Sequence, residues 1–136
     1  MLALLFQVGA NRVAVDVRRV REVVPRVRLT SVSDQPGWSA GVFVYRGEVV
    51  PVIDLHRLTG AGDCPEHLSS RIILIPRGDS SLVGLLATQV AEVREFAGTA
   101  AGSSGSLLGD PVADGTGVLR VLDPDRLLAR LAGGNS

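Results

Sequence analysis

Gly41-Val42-Phe43-Val44-Tyr45-Arg46-Gly47-Glu48-Val49-Val50-Pro51-Val52-Ile53-Asp54-Leu55-His56-Arg57-Leu58 is the stretch whose reading decides the fold. Two runs of β-branched and aromatic residues, Val42 to Tyr45 and Val49 to Ile53, flank Arg46-Gly47-Glu48, where Gly47 can take the positive φ of a tight turn. This predicts a β-hairpin with Arg46 held outward at its tip. Asp54 follows where a short carboxylate can accept from the backbone N–H groups of a helix starting at Leu55, so strand passes directly into helix.

The second half of this stretch recurs. Val52-Ile53-Asp54-Leu55-His56-Arg57-Leu58 lines up with Val121-Leu122-Asp123-Pro124-Asp125-Arg126-Leu127 at an offset of 123 − 54 = 69, and Pro124 stands where a helix can spare an N–H. Val20-Arg21-Glu22-Val23 matches Val90-Ala91-Glu92-Val93 at 92 − 22 = 70, and Leu2 to Leu5 fall on Ile72 to Ile75. The pattern predicts an internal duplication within one domain spanning 1–136, with subdomains of about 1–66 and 67–136. A module of that size buries only roughly 60% of its unfolded surface, so the halves are expected to pack on each other as one cooperative unit.

Outward from the hairpin, Leu2 to Val8 and Arg12 to Val17 form an expected hairpin across Gly9-Ala10-Asn11. Val17, Val20, Val23 and Val24 change to helical spacing before Pro25, which predicts a single helical turn or a bulged edge that leaves Glu22 facing away from the core. Arg26 to Ser33 alternates again. Thr59 to Asp63 closes the first helix with glycines, and a polar stretch to Ser70 joins the halves. Arg71 to Pro76 reads as a buried strand, Leu82 to Ala87 as its hairpin partner, and Val90 to Phe96 as a second short helical turn. Gly98 to Asp110, rich in Gly, Ser and Ala, is expected to be mobile. Val112 to Thr116 leads to a last strand at Val118 to Leu122 and a helix with Leu127, Leu128 and Leu131 on its apolar face. Short strands, frequent glycine turns and little helix indicate an all-β fold of small antiparallel barrels.

The totals exclude several classes of function. Formal charge is zero, from 14 basic residues, all arginine, against 14 acidic ones, and aromatics are 4%, which leaves neither a field nor stacking platforms for nucleic acid. Cys64 is the single cysteine, so the chain forms no internal disulfide, and a reducing compartment is expected. A metal site from Cys64, His56 and His67 is set aside because Cys64-Pro65-Glu66-His67 reads as a polar loop and no ligand spacing repeats. No metal and no cofactor are expected. No apolar run approaches the ~20 residues of a membrane span and no secretory signal opens the chain, so a cytoplasmic protein without direct membrane insertion is expected.

Asp54 and Asp123, in matching positions of the halves, could share a proton and activate water as a hydrolase pair. Each precedes a helix, however, and the N-cap preference favours a capping role. No serine or cysteine stands in a nucleophile elbow and no phosphate loop is present, so catalysis has no visible machinery. His56, just after the cap, reads as a solvated or packed imidazole rather than a general base. Arg46 beside Gly47 cannot be core: it is either a solvated surface arginine or an interface anchor, and Tyr45, Phe43 and Trp38 tip the reading toward an anchor patch.

With Pro36, Gly41-Val42, Arg46-Gly47 and Val49-Val50-Pro51-Val52-Ile53-Asp54-Leu55 in this order, and with Val20-Arg21-Glu22-Val23 and Val121-Leu122-Asp123, the chain resembles the chemotaxis coupling proteins, the CheW-like domain family, from Leu4 to Leu128. The resemblance implies two five-stranded SH3-like barrels packed side by side and a non-catalytic scaffold. That scaffold would bridge the cytoplasmic tips of methyl-accepting chemoreceptors to the regulatory domain of a histidine kinase. It also implies partner-binding roles at Val20, Glu22, Gly41 and Arg46, with Tyr45 beside them. Val44-Tyr45 replaces the family's usual Asn-Leu, and Ala87-Thr88-Gln89 replaces its usual Val-Asp. The Tyr45-Arg46-Gly47 form is similar to coupling proteins of surface-sensing and type IV pilus-linked systems, which makes such a pathway the alternative.

Overall fold

Leu82–Glu95 forms one uninterrupted strand of 14 residues, and the rest of the sheet is laid against its two ends. The computed structural model describes residues 2–65, 70–78, 80–95, 108–109, 111–113 and 117–133. In chain order these form β1 (Leu2–Val8), β2 (Asn11–Asp16), a 3₁₀ turn (Val17–Arg19), β3 (Glu22–Pro25), β4 (Ser39–Tyr45), β5 (Glu48–Asp54), α1 (Leu55–Leu58), β6 (Arg71–Pro76), β7 (Leu82–Glu95), β8 (Pro111–Ala113), β9 (Val118–Val121) and α2 (Pro124–Gly133).

The mostly β class with short helices is the expected one. β7 belongs to two five-stranded sheets at once. Its first part, Leu82 to Ala87, lies between β6 and β5, and that sheet continues to β3 on one side and β4 on the other. Its second part, Thr88 to Glu95, pairs with β1, and that sheet continues through β2 and β9 to β8.

Each sheet draws strands from both sequence repeats, and the exchange is reciprocal. β5 pairs in parallel with β7 through Val52↔Gly84, and β9 pairs in parallel with β2 through Val121↔Ala14. These are equivalent pairs, offset by 121 − 52 = 69 and 84 − 14 = 70. Likewise Glu22 on β3 faces Leu74, while Glu92 on β7 faces Leu5. The duplication is therefore visible as a pseudo-symmetric ladder in which each repeat completes the other's sheet.

The structure departs from the sequence reading at four places. The expected helical turn at Val90 to Phe96 is strand as far as Glu95, because the free edge of β1 offers hydrogen-bond partners to β7 from Thr88 onward. Gln89, at φ +52°, supplies the change of direction, opposite a register shift between Leu5 and Gln7. In the first repeat the turn exists but is shorter, Val17–Arg19, and β3 follows it.

The alternating stretch Arg26 to Ser33 contributes only Thr30, which exchanges two hydrogen bonds with Val42 at 2.8 and 2.9 Å. The ladder among the described residues therefore runs as an open path, not as two closed rings, and this isolated bridge is what brings the chain after β3 back to β4. Finally, Leu108, inside the segment expected to be mobile, is buried in the core. The remainder of Gly98 to Asp110, apart from Gly109, lies outside the described residues.

The central strands are apolar on both faces because both faces are covered. Ile73 and Ile75 of β6 with Val83, Leu85 and Ala87 of β7 join the largest core together with Phe6, Val13, Ile53, Leu55 and Leu127. Their neighbours Ile72, Leu74, Leu82 and Leu86 pack on the other side with Val50, Val52 and Cys64. Gly84 is wedged there: a Cβ would stand 2.7 Å from Ile72 Cγ2 and 3.2 Å from Val52 Cγ2. Gly84→Ala is therefore expected to lower unfolding free energy by about 1–3 kcal/mol through overpacking. Gly78→Ala, with open space around it, should stay within about 0.5 kcal/mol of wild type. Urea denaturation checks both, and equal stability of the two variants would contradict the packing described.

Candidate partner-binding site

The hairpin formed by β4 and β5 turns through Arg46 and Gly47, at φ +49° and +82°, so both central residues of the turn are left-handed. Two positive φ values in a two-residue turn match the twist of the flanking strands, and they hold Arg46 out from the sheet. Its side chain is 77% exposed. The alternation of the hairpin places Phe43 and Tyr45 toward the core around Ile72 and Leu74, while Val44 and Val49, directly opposite one another, face solvent at 68% and 64% exposure. A strict period-two reading could have found this apolar pair.

Three residues singled out from sequence meet at the tip. The Tyr45 hydroxyl donates to Glu22 Oε1, Arg46 Nη2 lies 3.4 Å from the same oxygen, and the Arg46 guanidinium sits 5.2 Å above the Tyr45 ring. Phe43 approaches the Tyr45 ring edge-on at 6.5 Å. Hydrogen bonding to the Glu22 carboxylate, reinforced by desolvation, raises the Tyr45 phenol above its ordinary pKa. The ion pair itself is exposed and contributes at most about 1 kcal/mol, so its role is orientation more than stability. Glu22 reaches the hairpin because β3 is laddered on β6, with Glu22 opposite Leu74.

The other two lie elsewhere. Val20 ends the 3₁₀ turn, its N–H donating to the Val17 carbonyl, and packs partly against the main core. Gly41 is buried at φ +117°, and a Cβ there would stand 2.7 Å from the Thr30 carbonyl oxygen, so glycine is required by the Thr30–Val42 bridge. Trp38 packs against the main core, away from Phe43 and Tyr45, whose side chains pack on the other cluster.

Sequence reasoning missed Glu48, whose carboxylate accepts from Leu82 N–H at 3.1 Å and ties the hairpin tip to the start of β7. It also missed the Arg19–Asp125 pair, with contacts of 2.6 and 3.1 Å, which joins the 3₁₀ turn to α2. Neither carries a local signal, because the partners are 34 and 106 residues apart.

The two aspartates act as caps. Asp54 Oδ1 accepts from His56 and Arg57 N–H at 2.9 and 3.3 Å, and Asp123 Oδ1 accepts from Asp125 N–H at 3.0 Å. Asp54 Oδ2 additionally accepts from Cys64 N–H at 3.0 Å. That bond pulls the following segment inward, so Cys64 is buried, not part of a solvated polar loop. Burial pushes its thiol up to about 11, which leaves it protonated at neutral pH. His56 is packed, as one of its two readings had it, and burial lowers its pKa, so the imidazole is neutral. His67 lies outside the described residues.

Residues 2–132 match the family described as the CheW-like domain. The chain belongs to that family. The CheW-like chain is similar to the protein FrzA of Myxococcus xanthus, 34% identical over 91 residues, covering 67% of this chain and 56% of that protein. It is 27% identical to the chemotaxis protein CheW of Treponema pallidum over 95 residues, covering 65% and 54%. It thus spans about half the length of these curated relatives. Among solved structures, the scaffolding protein CheW of Thermoanaerobacter tengcongensis superposes with a TM-score of 0.78 at 22% identity, over 90% of this chain and 83% of that one, and so shares its fold.

Tyr45 is the single tyrosine of this CheW-like chain, so phenolate absorbance reports the site alone. Because its folded pKa is raised, the Tyr45–Glu22 bond contributes stability below the ordinary value of about 10 and loses it as pH rises through the folded value. Spectrophotometric titration should place the wild-type midpoint above that value, and Glu22→Ala should bring it down toward it. An unchanged midpoint in Glu22→Ala would show that the two side chains do not interact in solution.

Proposed function

We propose that this chain is a non-catalytic adaptor in bacterial chemosensory signal transduction, coupling the cytoplasmic tips of methyl-accepting chemoreceptors to the regulatory domain of a histidine kinase. The observation that carries the reading is the match of nearly the whole chain to the CheW-like domain. The names of the relatives, a chemotaxis protein and a scaffolding protein, support it. The capping bonds of Asp54 and Asp123 give those carboxylates a structural role and support a reading without hydrolysis. A chain that couples these two partners would act in the cytoplasm, and no helix among the described residues is long and apolar enough to cross a membrane.

The partner surface of this reading is the hairpin tip. Glu22, Tyr45 and Arg46 hold one another in a fixed geometry, and Val44 with Val49 adds apolar area on the adjacent face. Arginine and tyrosine ordered before binding lose less freedom on association, and an apolar pair beside them supplies burial. Two surfaces used at once, one for a receptor helical hairpin and one for a kinase barrel, turn a small receptor displacement into a change in kinase activity. Coupling free energies of this kind are typically about 1–3 kcal/mol. A scaffold with strands exchanged between its repeats suits that role, because neither half can shift without breaking the other's sheet.

Titration against the purified regulatory domain of the same organism's chemotaxis-type kinases tests the assignment. Wild-type binding should be micromolar or tighter, and Arg46→Ala and Glu22→Lys should each weaken it about tenfold or more, as expected of central interface residues. Unchanged affinity and unchanged receptor control of the kinase in both variants would contradict the placement of the site.

A further inference from the structure

We propose that Asp54, His56 and Cys64 form a binding site for one divalent transition ion of the zinc class. The Asp54 carboxylate, a ring nitrogen of His56 and Cys64 Sγ lie within 4.8 Å of one another, and all three residues are buried. One oxygen, one nitrogen and one sulfur donor are the set that zinc takes at about 2.0–2.3 Å, so the group must contract modestly around the ion. A second observation points to a ligand: His56 is 3% exposed and its Nδ1 has no hydrogen-bond partner among the described residues. A buried polar atom left unpaired costs free energy.

The surroundings accommodate the ion. Asp54 Oδ2 accepts one hydrogen bond, from Cys64 N–H at 3.0 Å, and Arg57 Nε at 3.5 Å lies beyond hydrogen-bond range, so a lone pair remains for a metal. The Arg57 charge is directed to Asp63 at 2.9 Å. Asp54 and Cys64 line a cleft of about 450 Å³ together with Asp63 and the arginines Arg26, Arg28 and Arg57, which opens a path for an ion and for a water in the fourth position. On binding, the Cys64 S–H bond breaks, sulfur coordinates the ion and the proton passes to water in the cleft. The ion would then join the end of β5 and the start of α1 to the Cys64 segment, which Arg26 already holds through the Cys64 and Pro65 carbonyls at 3.4 and 2.9 Å. The site lies apart from the hairpin tip and stands independently of the adaptor reading.

The test is titration of the chelator-stripped full chain with Co²⁺ and then Zn²⁺, with absorbance and calorimetry as readouts. Because Cys64 is the single cysteine, a thiolate-to-cobalt charge-transfer band reports it alone. One equivalent should produce the band, excess Zn²⁺ should abolish it, Cys64→Ser should lack it, and His56→Gln should weaken binding at least tenfold. His67→Ala should retain it. Circular dichroism confirms that the variants remain folded. Absence of the band in wild type, or equal zinc affinity in wild type and Cys64→Ser, would overturn the proposal, and loss of binding in His67→Ala would overturn the ligand set.

Discussion

Everything in this fold depends on β7 being shared. Its 14 residues serve two sheets, with Leu85 and Ala87 in one core and Leu82 and Leu86 in another, so the strand is covered on both faces over its first part and continues as the partner of β1 beyond Gln89. A strand common to both sheets removes any independent folding of either repeat. The parallel pairings of β5 with β7 and β9 with β2 have the same consequence, since each joins strands from different repeats. The described strands of both repeats are therefore joined in one continuous hydrogen-bonded ladder.

Much of this was legible in the sequence, and the misses have physical causes. The hairpin at Arg46-Gly47 and the caps at Asp54 and Asp123 carry local signals, a glycine able to adopt positive φ and a carboxylate ahead of a helix, and they stand where those signals place them. The repeat at an offset near 70 was visible as a pattern of residues, but the exchange of strands between its copies was not, because pairing partners are chosen in three dimensions. The same limit explains Val90 to Glu95: valines at Val90 and Val93 suit a helical turn or a strand, and the free edge of β1 decided for strand. Among the described residues the sheets stay open for a related reason, since Arg26 to Ser33 alternates as a strand does but engages its neighbour only at Thr30.

At the hairpin tip, sequence alone set Arg46 beside Tyr45 but could not bring Glu22 to them, because that contact runs through the ladder of β3 on β6. Gly41 admits the close backbone approach of Thr30, and Val20 packs partly against the main core. Cys64 looked solvated within a polar stretch, yet a single hydrogen bond from its N–H to Asp54 turns it inward and creates the buried cluster with His56. A capping carboxylate with one oxygen to spare thus organises a second feature of the fold.

The central claim is that one chain holds receptor and kinase at the same time. Sedimentation velocity of an equimolar mixture of this protein, the kinase regulatory domain and a receptor cytoplasmic fragment from the same organism tests it most directly. The account predicts a ternary species that sediments faster than either binary complex and that disappears when this chain is left out. Binary complexes that compete with each other, with no ternary species at any ratio, would contradict it.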